Sequence, residues 1–226
     1  MKIKLSNAGK RFNREWIFRK ADLDFNSGNS YAITGPNGSG KSTLLQCIGG
    51  MLQLSEGRID MRDERWAMGE ENAYQQISFC APYLDLIEEM TLIEFLQFHN
   101  QFKPFIEGFS VNRSIAEIGL ENASTKQIRF YSSGMKQRVK LAQAIFFDVA
   151  IILLDEPCTN LDQKGIDLYH SIIDAYCRER IVIVCSNDKV EYSFCKEVIN
   201  IGDYKKYEVR GTKYEVGLSQ RTQREN

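Results

Sequence analysis

Long apolar runs are what this 226-residue chain most conspicuously lacks. Stretches such as Ala150 to Leu154 and Ile181 to Cys185 fall far below the ~18 residues a membrane span needs, so any membrane contact is expected to be peripheral. Nothing at the start reads as a secretory leader either, because charge enters within the first four residues and no apolar segment follows. There is little net charge: 29 basic residues face 30 acidic ones, which gives no strong field to draw in nucleic acid or anionic lipid, and no nucleic-acid partner is expected. Metal-ligand spacing is absent as well. The six cysteines, at 47, 80, 158, 177, 185 and 195, form no C-x-x-C pair, and only His99 and His170 could join them; they read as free thiols in a reducing cytosol. No internal repeat or low-complexity linker is visible, and only the tail after Gly217 reads as disordered. The length suits one α/β domain, or one with a lobe inserted into it.

What is present is a recurring unit of short apolar run, polar turn and helical stretch, the pattern of buried strands in a mostly parallel sheet. It predicts strands near Ser30 to Thr34, Ile77 to Cys80, Ala150 to Leu154 and Ile181 to Cys185, with two more at Glu197 to Ile201 and Tyr204 to Val209. The first 28 residues alternate apolar and polar side chains (Ile3, Leu5; Leu23, Phe25) and predict a small antiparallel sheet beside the main one. Between Tyr83 and Thr125 the period turns helical, with Leu92, Phe95, Leu96, His99 and Phe102 on one face.

Gly35-Pro36-Asn37-Gly38-Ser39-Gly40-Lys41-Ser42-Thr43 fits G-x-x-x-x-G-K-[ST] and lies between the strand SYAIT and a helix-forming stretch. The glycines let consecutive N–H groups converge on phosphate oxygens, and the helix after them points its N-terminus at the same anion. Lys41 is placed to neutralise the β- and γ-phosphates, and the Ser42 hydroxyl to complete a Mg²⁺ shell. Further on, Ile151 to Leu154 runs into Asp155 and Glu156, and ligands of open α/β sheets bind at the carboxyl ends of strands. Asp155 suits the outer Mg²⁺ shell, and Glu156 suits orienting or deprotonating the attacking water.

Just before that strand, Tyr131-Ser132-Ser133-Gly134-Met135-Lys136-Gln137-Arg138 resembles the LSGGQ signature of ABC ATPases. GPNGSGKST at 35 to 43, YSSGMKQRVKLAQAI at 131 to 145 and LLDEPCTNLD at 153 to 162 follow that family's order and spacing, and the resemblance covers nearly the whole chain. It implies an α/β P-loop NTPase fold: a mostly parallel sheet flanked by helices, with an N-terminal antiparallel β subdomain and an inserted helical subdomain. On this reading residues 1–82 and 146–216 form the α/β core, 83–145 the helical subdomain with the signature, and 217–226 a flexible tail. The resemblance implies a dimer of ATPase subunits, identical or not, with ATP held between one copy's phosphate loop and Ser132, Ser133 and Gly134 of the other. Asp162 matches the loop that communicates between the two ATP sites. Phe12 matches the aromatic that stacks on adenine, with Trp16 close enough to compete. The implied function is the cytoplasmic ATP-hydrolysing subunit of a transporter, peripheral on the cytoplasmic face of the membrane and working through a separate transmembrane permease subunit. Phe95, Phe98, Phe102 and Phe105 are candidates for the groove that receives the permease, although their helical spacing suits the lobe's own core.

Two positions depart from the family. Counting back from Thr91 puts the usual glutamine at Pro82, which cannot touch metal or water. Gln75 and Gln76 precede the strand, roughly 15 to 20 Å from its far end at ~3.3 Å per residue, and Asp85 is the remaining polar group in the loop. The usual histidine is Asn187, in Ser186-Asn187-Asp188, which can donate a hydrogen bond but cannot exchange a proton near neutral pH. Slow turnover is therefore expected. The alternative is an ATP-gated regulatory or soluble ABC protein with little hydrolysis. A soluble ATPase of DNA repair or chromosome organisation fits less well, since no long heptad insertion separates the phosphate loop from the signature.

Overall fold

The computed structural model describes residues 1–62 and 75–205. Its first two strands, β1 (Lys2–Phe12) and β2 (Glu15–Asn26), pair antiparallel from Lys2↔Asn26 to Phe12↔Glu15. Alternation does what it should: Ile3, Leu5, Phe18 and Phe25 turn inward and are fully buried. β3 (Ser30–Thr34) then enters a second sheet and leads through the phosphate loop into α1 (Lys41–Ile48). After α1 the chain returns to the first sheet as β4 (Glu56–Arg62), antiparallel to β1, an element the sequence reading did not predict.

The second sheet also contains β5 (Ile77–Cys80), β6 (Ile151–Asp155), β7 (Ile181–Cys185) and β8 (Glu197–Asn200). Its order is β5-β6-β7-β3-β8, with every pairing parallel. Between β5 and β6 lie α2 (Leu92–Asn100), α3 (Val111–Glu117) and α4 (Ser133–Ile145). Two further helices flank β7, α5 (Gln163–Tyr176) and α6 (Lys189–Tyr192). Local signals fix the helix starts. Thr91 and Glu94 form a reciprocal capping box on α2, and Ser132 and Asp162 cap α4 and α5 through Met135 N and Gly165 N.

Three strand boundaries differ from expectation. β6 begins at Ile151 rather than Ala150 and continues through Asp155, which pairs in register with Cys185. β8 stops at Asn200 because the Asn200 side chain accepts from Gly202 N at 2.9 Å and opens a 3₁₀ turn, Ile201–Tyr204. The strand expected over Tyr204 to Val209 therefore starts inside that turn, and 206–209, like the tail at 217–226, lie outside the described residues.

The parallel sheet separates two cores. Ile151, Leu153, Ile181 and Ile183 face α1 and the antiparallel sheet, while Ile152, Leu154, Val182 and Val184 face α4, α5 and the lobe residues Leu92, Phe95, Leu96 and Ile115. All five residues of β6 and of β7 are buried, so truncating one such aliphatic chain to alanine should cost about 2–5 kcal/mol. Buried on both faces, these strands hold their carboxyl ends rigidly, and the candidate site is built there.

Candidate functional site

The loop from Gly35 to Gly40 is shaped by close packing from β2. Gly40 precedes α1 with φ 105°, and a Cβ there would come within 2.4 Å of Ile17 Cγ2, so any larger residue is excluded twice over. No side chain caps α1, which leaves the N–H groups of its first turn for an anion. Lys41 is only 6% exposed, and its ammonium donates to the carbonyls of Gly35 (2.8 Å) and Pro36 (3.5 Å). The cation is thus stored inside its own loop. The Ser39 hydroxyl is buried there without a partner.

Asp155, at the end of β6, is 3% exposed, and its Oδ2 has no hydrogen-bond partner. Burial pushes its carboxyl up from the usual range; the hydroxyls of Ser42 and Tyr83, both hydrogen-bonded to it, pull the other way, while Glu156 adds to the rise. Among the described residues no three or more His, Cys, Asp or Glu gather as a metal cage. A carboxylate oxygen left open beside a serine hydroxyl is nonetheless a hard-oxygen pair of the kind Mg²⁺ takes when phosphate and water supply the rest, so these residues fit that ion.

Tyr83 was not foreseen as a site residue. It stands one position beyond Pro82, and its hydroxyl reaches both Asp155 and Gln46, although the residue as a whole is 46% exposed. Pro82 contributes only its carbonyl, which accepts from Lys140 Nζ at 2.9 Å. Asp85 does not join this group. It lines a groove of about 130 Å³ with Ser133, Lys136 and Lys140.

Glu156 is exposed and holds φ at 44°, an uncommon conformation for a residue with a side chain. Its N–H donates to Cys185 O at 2.9 Å, across to the strand that leads to Asn187. Asn187 itself spans the phosphate loop: its Oδ1 accepts from Gly35 N and its Nδ2 donates to Asn37 Oδ1, both at 3.2 Å.

Ser132 and Ser133 are exposed at the start of α4, with the Ser132 hydroxyl accepting from Met135 N at 3.2 Å. The contacts of this helix end are with the segment that leaves Glu156. A Cβ at Gly134 would sit 3.0 Å from Asn160 O, Gln137 donates to Pro157 O at 2.7 Å, and Arg138 lies 3.5 Å from Asp162. Gln137 is almost fully buried and was also not foreseen. Phe12 is half-exposed, with Lys10 Nζ 5.2 Å from its ring centre, whereas Trp16 is engaged by the guanidinium groups of Arg11 and Arg19 at 5.6 and 4.4 Å. The lobe phenylalanines divide. Phe95 is core and Phe105 stacks on Phe147, while Phe98 and Phe102 form an exposed edge-to-face pair.

A buried carboxylate at a strand end, facing a glycine-shaped loop with a lysine and a serine at the start of the next helix, defines a P-loop nucleotide-binding α/β domain. The model of the ABC transporter family matches residues 18–159, and the chain belongs to that family as an ATP-binding subunit. It is 31% identical over 194 residues to the ABC transporter ATP-binding protein YybJ of Bacillus subtilis, covering 83% of this chain and 86% of that protein. It is 27% identical over 209 residues to the cytochrome c biogenesis ATP-binding export protein CcmA of Haemophilus influenzae, covering 90% and 97%. Its fold matches the ATP-binding cassette MJ0796, solved as a dimer with ADP and Pi, at a TM-score of 0.76 with 23% identity over 88% of this chain and 93% of that one.

Proposed function

We propose that this chain hydrolyses ATP between two copies of itself, or between itself and a related subunit, and so drives a separate transmembrane permease from the cytoplasmic face of the membrane. The observation that carries this reading is the buried Asp155 oxygen beside Ser42, which has no hydrogen-bond partner; leaving such a group unmet is costly, and a cation shared with phosphate would meet it. Membrane association comes through the partner, since no helix among the described residues is long and apolar enough to cross a bilayer. One relative bears the name of an ABC transporter ATP-binding protein and another that of an ATP-binding export protein, which supports the same assignment.

On this reading Lys41 exchanges its loop carbonyls for the β- and γ-phosphate oxygens, and Phe12 offers an exposed face to adenine. Ser42 and Asp155 would hold Mg²⁺, which when bound would neutralise charge that develops on the phosphates. The Tyr83 hydroxyl keeps Asp155 oriented, while Pro82 beside it offers no side-chain group to metal or water. Glu156 accepts the proton of the attacking water as its oxygen bonds to Pγ and the bond from Pγ to the bridging oxygen breaks. From the other copy, Ser132, Ser133 and the amide groups opening α4 cover the γ-phosphate, with Asp162 held by its own α5 cap. Steady-state hydrolysis by the wild type and by Glu156→Gln tests this. The variant should lose ~10²- to 10⁴-fold in turnover and accumulate an ATP-bound dimer in sedimentation.

A second reading, an ATP-gated module with little hydrolysis, is favoured by Asn187, whose amide bridges Gly35 and Asn37 and carries no exchangeable proton near neutral pH. Equal, near-background rates for wild type and Glu156→Gln, with ATP still closing the dimer, would select it.

A further inference from the structure

Glu191 lies on the short helix α6, 6% exposed, and has no part in the chemistry described above. A carboxylate removed from water must be fully hydrogen-bonded, and the groups it has found come from two different loops. Its Oε1 accepts from Cys158 N at 2.8 Å, two residues beyond Glu156. The Ser186 hydroxyl, one residue before Asn187, also hydrogen-bonds to its carboxylate. Ser186 is itself buried, and its Oγ accepts from Asp188 N at 2.9 Å, so its donor is left for the carboxylate. The main chain of Glu191 is pinned as well, since its carbonyl accepts from the fully buried Tyr169 hydroxyl at 2.8 Å.

The consequence lies in the backbone at Glu156. A left-handed conformation at a non-glycine residue persists only where its surroundings over-determine it. Five hydrogen bonds do so here. Glu156 N donates to Cys185 O at 2.9 Å, the N–H and hydroxyl of Thr159 donate to Glu156 O at 3.1 and 2.9 Å, Gln137 holds Pro157 O, and Glu191 holds Cys158 N. Of the side chains in this network, Glu191 alone also grips the loop that carries Asn187. Burial pushes its carboxyl up from the usual range, against the pull of the hydrogen bonds from Ser186 and Cys158 and with Asp188 and Glu156 adding to the rise.

We infer that Glu191 is a positioning residue, a buried bracket that fixes the Glu156 loop against the Asn187 loop so that water and γ-phosphate are addressed together. This rests on the proposed hydrolytic role of Glu156.

The test compares full-length wild type, Glu191→Gln and Glu191→Ala by three measurements: MgATP affinity, single-turnover hydrolysis at saturating MgATP, and amide hydrogen exchange over 156–159 and 185–188. Misplacing reacting groups by about an ångström costs ~10²-fold, so Glu191→Ala should hydrolyse ~10²-fold more slowly, with ATP affinity within about threefold of wild type. Exchange should speed up in both loops at once. Glu191→Gln keeps an oxygen for Cys158 N and should recover most of the loss. Should Glu191→Ala fail to fold, the glutamine variant carries the test, with a several-fold drop in hydrolysis and unchanged affinity expected. Unchanged hydrolysis in the variants, or hydrolysis and affinity falling in proportion, overturns the inference. If wild type and Glu156→Gln both stay at background, the proposed hydrolysis itself has failed, and exchange decides alone: acceleration in both loops supports the bracket, and acceleration in neither or in only one sinks it.

Discussion

Replacing Lys41 by alanine probes the reading at its centre. The ammonium is held by the carbonyls of Gly35 and Pro36, so phosphate oxygens must compete with them. Charge-assisted hydrogen bonds are worth about 1.5–3 kcal/mol each. Two of them to phosphate, less the carbonyl contacts given up, leave a net ~3 kcal/mol, or about 10²-fold in affinity. For the wild type, MgATP at a hundredfold excess over its dissociation constant should add ~2.7 kcal/mol, which for a chain of this size raises Tm by roughly 5 to 10 °C. At the same ligand concentration Lys41→Ala would stand near half-saturation, where binding adds ~0.4 kcal/mol and the shift shrinks to about 1 or 2 °C. Thermal melting with and without MgATP reads both values, and isothermal titration checks the affinity. A full-sized shift in Lys41→Ala, or none in the wild type, would rule out phosphate binding by this ammonium.

Other consequences are equally direct. Tyr83→Phe removes the hydroxyl from Asp155, and one hydrogen bond of ~1 kcal/mol should raise the Mg²⁺ concentration needed for ATP binding about fivefold; Pro82→Ala, titrated alongside, should not change it. Ser132→Ala removes the cap of α4 and should cost about 0.5–2 kcal/mol in chemical denaturation. In a Glu156→Gln background it should also weaken ATP-dependent dimerisation in sedimentation without altering ATP binding by the monomer. His99, packed on Phe147 at 4.4 Å, is held down to about 4 by burial and by the nearby Lys103, against 6.5 for the free side chain. The unfolded chain therefore takes up the proton first, so the stability this site contributes is whole above pH 6.5 and is lost as pH falls toward 4. His99→Phe should flatten Tm against pH in that window.

Much of this molecule was legible in its sequence because its strongest signals are local. Runs such as Ile181–Cys185 are buried on both faces, so they appear as uninterrupted apolar segments, and the phosphate loop announces itself by glycines at fixed offsets. β4 stayed hidden for the opposite reason. It is an edge strand with Glu56, Arg58, Asp60 and Arg62 alternating around Gly57, Ile59 and Met61, and charges on one face obscure so short an alternation. Tyr83 escaped because counting back from Thr91 stops at Pro82, and a sequence does not show which neighbour's side chain turns toward the strand ends. Gln137 and Glu191 escaped because burial of a polar group is a tertiary fact. On paper both belong to polar helices, and only packing shows that they hold the backbone around Glu156.

The helical lobe and one face of the parallel sheet share a continuous apolar interior, in which Leu92, Phe95, Ile115 and Val139 join Ile152, Leu154, Val182 and Val184. Prising the two apart like a jaw would return that surface to water at about 25 cal/mol per Å², whereas gliding along it keeps oil against oil. Relative motion of the two is therefore restricted to a shallow slip of packed helices, and the turn after Glu156, held by Gln137 and Glu191, travels with the sheet.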